Sequence, residues 1–174
     1  MPRRLSRIAL CAALGFSVAA VAAPAPAPRV GIASFAQLRT PLPYPYDEAA
    51  NADAVVAAAR VRARAQHKLL LIDLGGNWCA DCRILAATID LPELEAFVER
   101  HYVMVTVDVG HFDRNQQIQA HYGITQRLEG VPSLLVVDPK SDTLVDRGHI
   151  SALEDARHMT PQALADWLAE WTTG

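Results

Sequence analysis

The sequence predicts an α/β domain, a central mixed β-sheet flanked by helices. Three observations lead there. The chain has 174 residues, 51% of them hydrophobic and 20% charged, which suits one globular domain and neither a disordered nor a fibrous chain. Three short runs, Leu69–Leu74, Tyr102–Val109 and Leu134–Val137, are too continuously apolar for strands with one wet face and read as strands covered on both sides. Segments of helical period lie around and between them.

The first 23 residues read as an address. Arg3, Arg4 and Arg7 make a positive start, Ile8 to Ala23 is apolar or small, and Val21-Ala22-Ala23 supplies the small side chains of a cleavage site ahead of Pro24. The apolar run, about 16 residues, is short for a membrane span of roughly 20. A cleaved secretory signal is therefore expected, with no stable membrane anchor afterwards. Cys11 has too short an apolar run before it to be the acylated residue of a lipoprotein, and it leaves with the signal. The whole chain carries 16 basic and 19 acidic residues, net −3; losing three arginines leaves 13 against 19, net −6 over 151 residues. No basic patch dominates, which argues against a nucleic-acid partner. Three cysteines exclude a disulfide-stapled mini-protein and a four-cysteine zinc site.

Residues 24–46 hold six of the eleven prolines. Proline fixes φ and removes a donor, so an extended leader outside the core is expected, with Tyr44 and Tyr46 at most packing on the domain edge. The domain itself is expected over 47–174. Its first helix is capped by Asp47 or Asn51, buries Val55, Val56, Ala59 and Ala63, and ends in Arg60, Arg62, Arg64 and Lys68, where the helix dipole favours cations. The Leu69–Leu74 strand stops at Gly75-Gly76. A helix then starts at Cys79–Cys82, is interrupted at Pro92 and resumes from Glu93 to Arg100. After the Tyr102–Val109 strand, a helix over roughly Arg114 to Tyr122 is closed by Gly123. The third strand ends at Asp138-Pro139, and a weaker fourth, Thr143–Gly148, completes an antiparallel hairpin. The last helix opens with Thr160-Pro161, and Leu164, Trp167, Leu168 and Trp171 recur at helical spacing as one buried stripe.

The chemistry centres on Asn77-Trp78-Cys79-Ala80-Asp81-Cys82-Arg83, where a buried strand gives way to a helix. Two cysteines spaced by two residues at a helix start can close a small disulfide ring. The helix amides and dipole stabilise a thiolate on the first sulfur. That thiolate can attack a substrate disulfide, and the second thiol resolves the mixed disulfide. A permanent structural disulfide, half of a metal site, or a pair of inert buried thiols would use the same spacing. The six histidines are not paired near the cysteines. His111, on the loop after the second strand, could in principle join the sulfurs in holding copper, although a solvated loop position suits it better.

The segment Trp78-Cys79-Ala80-Asp81-Cys82 resembles the WCxxC motif of the thioredoxin superfamily. Gly130-Val131-Pro132 is similar to that family's cis-proline loop, and Asp73, six residues before Cys79, falls where thioredoxins keep a buried aspartate. The element order matches from about Asp47 to Trp171. The resemblance implies a thioredoxin-like fold and assigns roles by position. Cys79 would be the exposed nucleophile and Cys82 the buried resolving thiol, with Asp73 passing a proton to or from Cys82. Trp78 would shield the disulfide, Pro132 would face the sulfurs in cis, and the Val131 backbone would pair with an extended substrate. Thioredoxins often place a lysine beside the aspartate on the next strand; here Met104 is the expected counterpart, so the partner charge is missing.

Ala80 and Asp81 stand where thioredoxin has Gly-Pro. A carboxylate beside the pair opposes thiolate formation on Cys79, which points to a reductant or isomerisation helper; Arg83 could offset part of the effect. The residues 125–129 lie beside the proline loop and could shape partner choice, whereas the insert from His149 to His158 carries no visible chemistry. The expected function is an exported thiol–disulfide oxidoreductase, in a bacterial periplasm, working on protein dithiols and disulfides with an upstream redox partner. It would need neither a bound cofactor nor a metal. The alternative is a periplasmic thioredoxin-fold module that binds copper or keeps a structural disulfide.

Overall fold

The computed structural model describes residues 23–172; the expected signal segment, apart from Ala23, and Cys11 within it lie outside them. Four strands form one mixed sheet in the order β2-β1-β3-β4. They are β1 Leu69–Gly75, β2 Tyr102–Asp108, β3 Ser133–Asp138 and β4 Thr143–Leu144. The first two run parallel, from Leu69 opposite Tyr102 to Gly75 opposite Asp108. Strand β3 runs antiparallel to both β1 and β4. The helices are α1 Ala52–Gln66, α2 Ala80–Ile89, α3 Pro92–His101, α4 Gln116–His121 and α5 Pro161–Glu170.

The apolar runs are strands because both faces are covered. Successive strand residues point to opposite faces. Leu70, Ile72 and Leu74 meet Val56, Ala59 and Ala63 of α1, while Leu71 packs with Leu85 of α2, Leu94 and Phe97 of α3 and Leu164 and Leu168 of α5. Every residue of β1 after Leu69 is buried. Asn51 is the cap of α1, and its side chain accepts the Ala54 N–H at 3.0 Å. Thr160 caps α5 through the Ala163 N–H at 3.1 Å, and the expected stripe is buried except for Trp171, which is partly exposed.

Two elements are shorter than expected, each for a local reason. Helix α4 starts at Gln116 because Asn115 adopts a left-handed conformation (φ 52°) and Arg114 turns away to pair with Asp108 at 3.0 Å. Strand β4 stops at Leu144. Two residues on, the Asp146 side chain accepts the Val136 N–H at 3.0 Å and replaces the next ladder bond.

The Pro-rich leader is extended apart from one 3-10 turn at Phe35–Gln37, and its expected place outside the core is corrected. Leu38 and Tyr46 are buried, and Ala25, Ala27, Val30 and Phe35 pack on the layer beneath α2, α3 and α5. Ala25 N–H donates to Thr172 O at 3.0 Å, joining the start of the described chain to its end. Proline removes donors without removing apolar side chains, so an extended strap can cover a core face once other groups satisfy its carbonyls.

Leu164 is wholly buried at the centre of the α5 layer. Leu164→Ala should lower stability by about 2–5 kcal/mol, read as a lower urea midpoint at unchanged slope.

Candidate active site

Strand β1 delivers the chain to the turn that carries the cysteines, and Cys79 is the N-cap of α2. Its Sγ accepts the Cys82 N–H at 3.1 Å, the contact by which a helix N-terminus stabilises a thiolate. Cys79 and Cys82 form a disulfide with Cα atoms 5.3 Å apart. Cys82 is fully buried. Cys79, expected at the surface, is only 5% exposed and is corrected to a nearly buried residue. It is enclosed in part by the proline loop: Cys79 Sγ lies 3.3 Å from Val131 O, and the Val131–Pro132 peptide is cis. Ala80 is exposed on the first turn of α2.

Asp73 is wholly buried. Burial pushes its carboxyl up to about 7, and one hydrogen bond pulls against that shift. The donor is Tyr46, whose hydroxyl lies 2.9 and 3.0 Å from the two carboxylate oxygens. The cross-strand neighbour of Asp73 is Thr106, while Met104 sits opposite Leu71, so the expected counterpart is corrected by one strand repeat. Asp73 and Gly75 share a face, and the missing Gly75 side chain leaves the space that Tyr46 Oη and Cys82 Sγ fill; a methyl there would collide with both.

Tyr46 is held to the cysteine turn by Asn77. Asn77 Oδ1 accepts the Tyr46 N–H at 3.1 Å, and Asn77 Nδ2 donates to Tyr46 O at 2.8 Å. Thr106 donates to Pro45 O at 2.9 Å. Arg83 donates to Pro43 O and Leu42 O at 3.0 and 2.7 Å and lies over the Tyr44 ring. Arg83 thereby fastens the leader to the first turn of α2.

The counter-charge of Asp81 is Arg157. The guanidinium donates to both Asp81 carboxylate oxygens, and the Arg157 N–H adds a bond of 2.8 Å. Burial raises the Asp81 carboxyl, but these bonds and the arginine's charge hold it below the usual carboxylate range. The insert from His149 to His158, which shows no chemistry in sequence, thus reaches the acidic residue of the motif.

Trp78 is 48% exposed. Its indole N–H donates to Gly110 O at 2.7 Å and its ring stacks on His111, with centroids 4.8 Å apart. His111 is thus engaged with Trp78, and among the described residues no group of three or more His, Cys, Asp or Glu is arranged to hold a metal. Beside the proline loop, Leu128 is buried and Arg127 lies 3.9 Å over Phe112.

Sequence reasoning missed Tyr46 and Arg157 as parts of the site, and gave Asn77 a place in the motif without its role of holding Tyr46. Asn77 had adjacency to the motif as a signal. Tyr46 and Arg157 had none, because each reaches the site across the fold from 27 and 76 residues away.

Comparison with known proteins matches residues 51–139 to the family described as Thioredoxin-like. A thioredoxin from Alicyclobacillus acidocaldarius is 33% identical over 69 residues, 40% of this chain, so the match spans a little over half (57%) of that relative. The structure of a disulphide isomerase from Xylella fastidiosa Temecula1 superposes with a TM-score of 0.66 at 34% identity, over 74% of this chain and 96% of that one. The oxidised DsbD C-terminal domain of Neisseria meningitidis shares 27% identity over 52% of this chain and 77% of its own, with a TM-score of 0.39.

Two expectations rest on this geometry. Asp73 and Asp146 are both pushed up to about 7 by burial, against an ordinary value of about 3.9. Between pH 4 and 7 the folded chain therefore holds protons that the unfolded chain releases, and stability falls as pH rises, by roughly 1 kcal/mol per pH unit for each carboxyl. Urea midpoints measured across that range should show the fall, and Asp73→Asn should make it shallower. Arg157→Ala leaves the Asp81 charge unmet beside Cys79. Alkylation of the reduced protein by iodoacetamide at pH 7 should slow by roughly two- to fivefold.

Proposed function

The chain belongs to the thioredoxin-like family, and from that premise we propose that it is an exported thiol–disulfide oxidoreductase acting on protein partners. The observation that carries this reading is the Cys79–Cys82 pair at the start of α2, with the Cys82 N–H on Cys79 Sγ and a wholly buried carboxyl, Asp73, on the same strand face as the gap that holds Cys82 Sγ.

In the reduced protein the Cys79 thiolate attacks one sulfur of a substrate disulfide, and the other substrate sulfur leaves as thiolate. Cys82 then attacks Cys79 Sγ, its proton passing to the Asp73 side. The Cys79–Cys82 bond forms, the mixed disulfide breaks, and the substrate departs with both sulfurs reduced. Two electrons have moved from the protein to the substrate, and an upstream dithiol must restore them. The Val131 backbone, against the disulfide, is the edge on which an extended substrate segment pairs, with Pro132 beneath it and Trp78 at the exposed rim.

The reductant side of this chemistry rests on different ground from the sequence argument. Arg157 meets the Asp81 charge, so repulsion of the Cys79 thiolate is smaller than the bare motif implies. What favours a protein that works from its reduced form is the likeness to the Xylella protein named as a disulphide isomerase; isomerisation begins with a free thiolate. The arginine-led segment at residues 1–23 supports export, and a bacterial periplasm suits it.

Reduction of insulin with dithiothreitol as donor tests the assignment. Cys79→Ser should reduce the rate to background, and Cys82→Ser should accumulate mixed disulfides with partner proteins on non-reducing gels. Wild-type turnover that survives in Cys79→Ser would overturn it.

A further inference from the structure

We propose that Tyr46, from the Pro-rich leader, is the proton relay between the Cys82 thiol and the Asp73 carboxylate. The proposal rests on the dithiol reading above and adds to it a residue from outside the 51–139 segment that matches the family.

Three observations carry it. First, the Tyr46 hydroxyl spans both Asp73 oxygens, at 2.9 and 3.0 Å, and no other side chain among the described residues donates to that carboxylate. Second, Tyr46 Oη and Cys82 Sγ converge on the single space left by the side chain that Gly75 lacks. The hydroxyl thus touches the proton acceptor and shares with the resolving sulfur the space beside Gly75. Third, the ring is registered to the cysteine turn and not merely packed. Both backbone polar groups of Tyr46 are taken by Asn77, two residues before Cys79, and the preceding residues are fastened by Thr106 and Arg83. A tyrosine needed only as core filling would require no such fixing of its backbone to this turn.

The chemistry follows from the placement. Burial and the nearby Asp73 push the Tyr46 hydroxyl well above its ordinary value, so it stays a neutral O–H. A neutral hydroxyl is both donor and acceptor. As Cys82 attacks the mixed disulfide, its S–H proton passes to Tyr46 Oη while the Tyr46 proton passes to Asp73. Tyr46 ends unchanged, Asp73 ends protonated, and the electron pair of the broken S–S bond leaves on the substrate sulfur. When the disulfide is reduced again, the same path returns the proton to Cys82.

The test compares wild type, Tyr46→Phe, Asp73→Asn and the double variant of the full exported chain in insulin reduction from pH 5.5 to 9, alongside titration of the Asp73 carboxyl by carbon NMR. Tyr46→Phe keeps the ring and removes the relay atom. It should slow reduction at pH 7 by roughly tenfold, raise the midpoint of the pH–rate profile, and move the Asp73 titration in the same direction. In the Asp73→Asn background the same substitution should have no further effect, because the acceptor is already gone. A folded Tyr46→Phe with unchanged rate, pH midpoint and Asp73 titration overturns the relay, as does a tenfold loss repeated in full on Asp73→Asn. Should Tyr46→Phe fail to fold, Asn77→Ala loosens the hydroxyl without deleting it and must shift the pH midpoint upward; an unchanged midpoint overturns the relay. A wild type inert toward insulin and other protein disulfides defeats the dithiol reading and the relay with it. An active wild type matched by Tyr46→Phe defeats the relay alone.

Discussion

A carboxyl with no access to water sits inside the central strand, and much of the molecule is arranged around the cost of keeping it there. An unpaired buried charge is far more expensive than a buried apolar residue. Asp73 meets that cost in two ways: its carboxyl is pushed toward neutrality, and it accepts a hydrogen bond from Tyr46. The second remedy has structural consequences. The hydroxyl belongs to a segment outside the sheet, so that segment must be held in place. Asn77, Thr106 and Arg83 each give a side-chain hydrogen bond to its backbone. A strap with many prolines, and so fewer backbone donors, becomes a fixed wall of the site.

A second electrostatic balance lies on the other side of the cysteines. The first turn of α2 offers amides that favour a thiolate on Cys79, and Asp81 within that turn opposes it. Arg157, half-exposed at the end of the 149–158 insert, restores the balance by pairing with Asp81 through both its side chain and its backbone N–H. The insert is anchored to do so: Leu153 and Ala156 are fully buried, and Ile150 O accepts the Leu134 N–H at 2.8 Å. Two peripheral segments, one before the family-matched region and one after it, therefore set the polarity around a motif that looks self-contained in sequence.

The fold was largely legible because its signals are local. Four continuous apolar residues at 134–137 state a buried strand, Thr160-Pro161 states a helix start, and the stripe from Leu164 shows which face is buried. Structure and local pattern part where a longer-range contact overrides the pattern. Local pattern carries the fourth strand to Gly148, but the Asp146 side chain takes the place of a backbone acceptor. Counting along one strand points to Met104 beside Asp73, whereas the register of β1 on β2 puts Thr106 there.

The cysteine pair, its place at a helix start, the proline loop and a carboxyl inside a strand were all written in the order of residues, because each depends on spacing within one element or on one residue's chemistry. Which groups complete that site was decided only in three dimensions. Tyr46 and Arg157 lie far along the chain from Asp73 and Asp81, and a hydrogen bond or ion pair leaves no periodicity in the sequence. The same limit applies to Arg83: its place beside Cys82 carries no sign that its side chain bonds the carbonyls of Leu42 and Pro43. Residue order determined what chemistry the chain carries; the packing of the 24–46 and 149–158 segments around the site decided which side chains complete it.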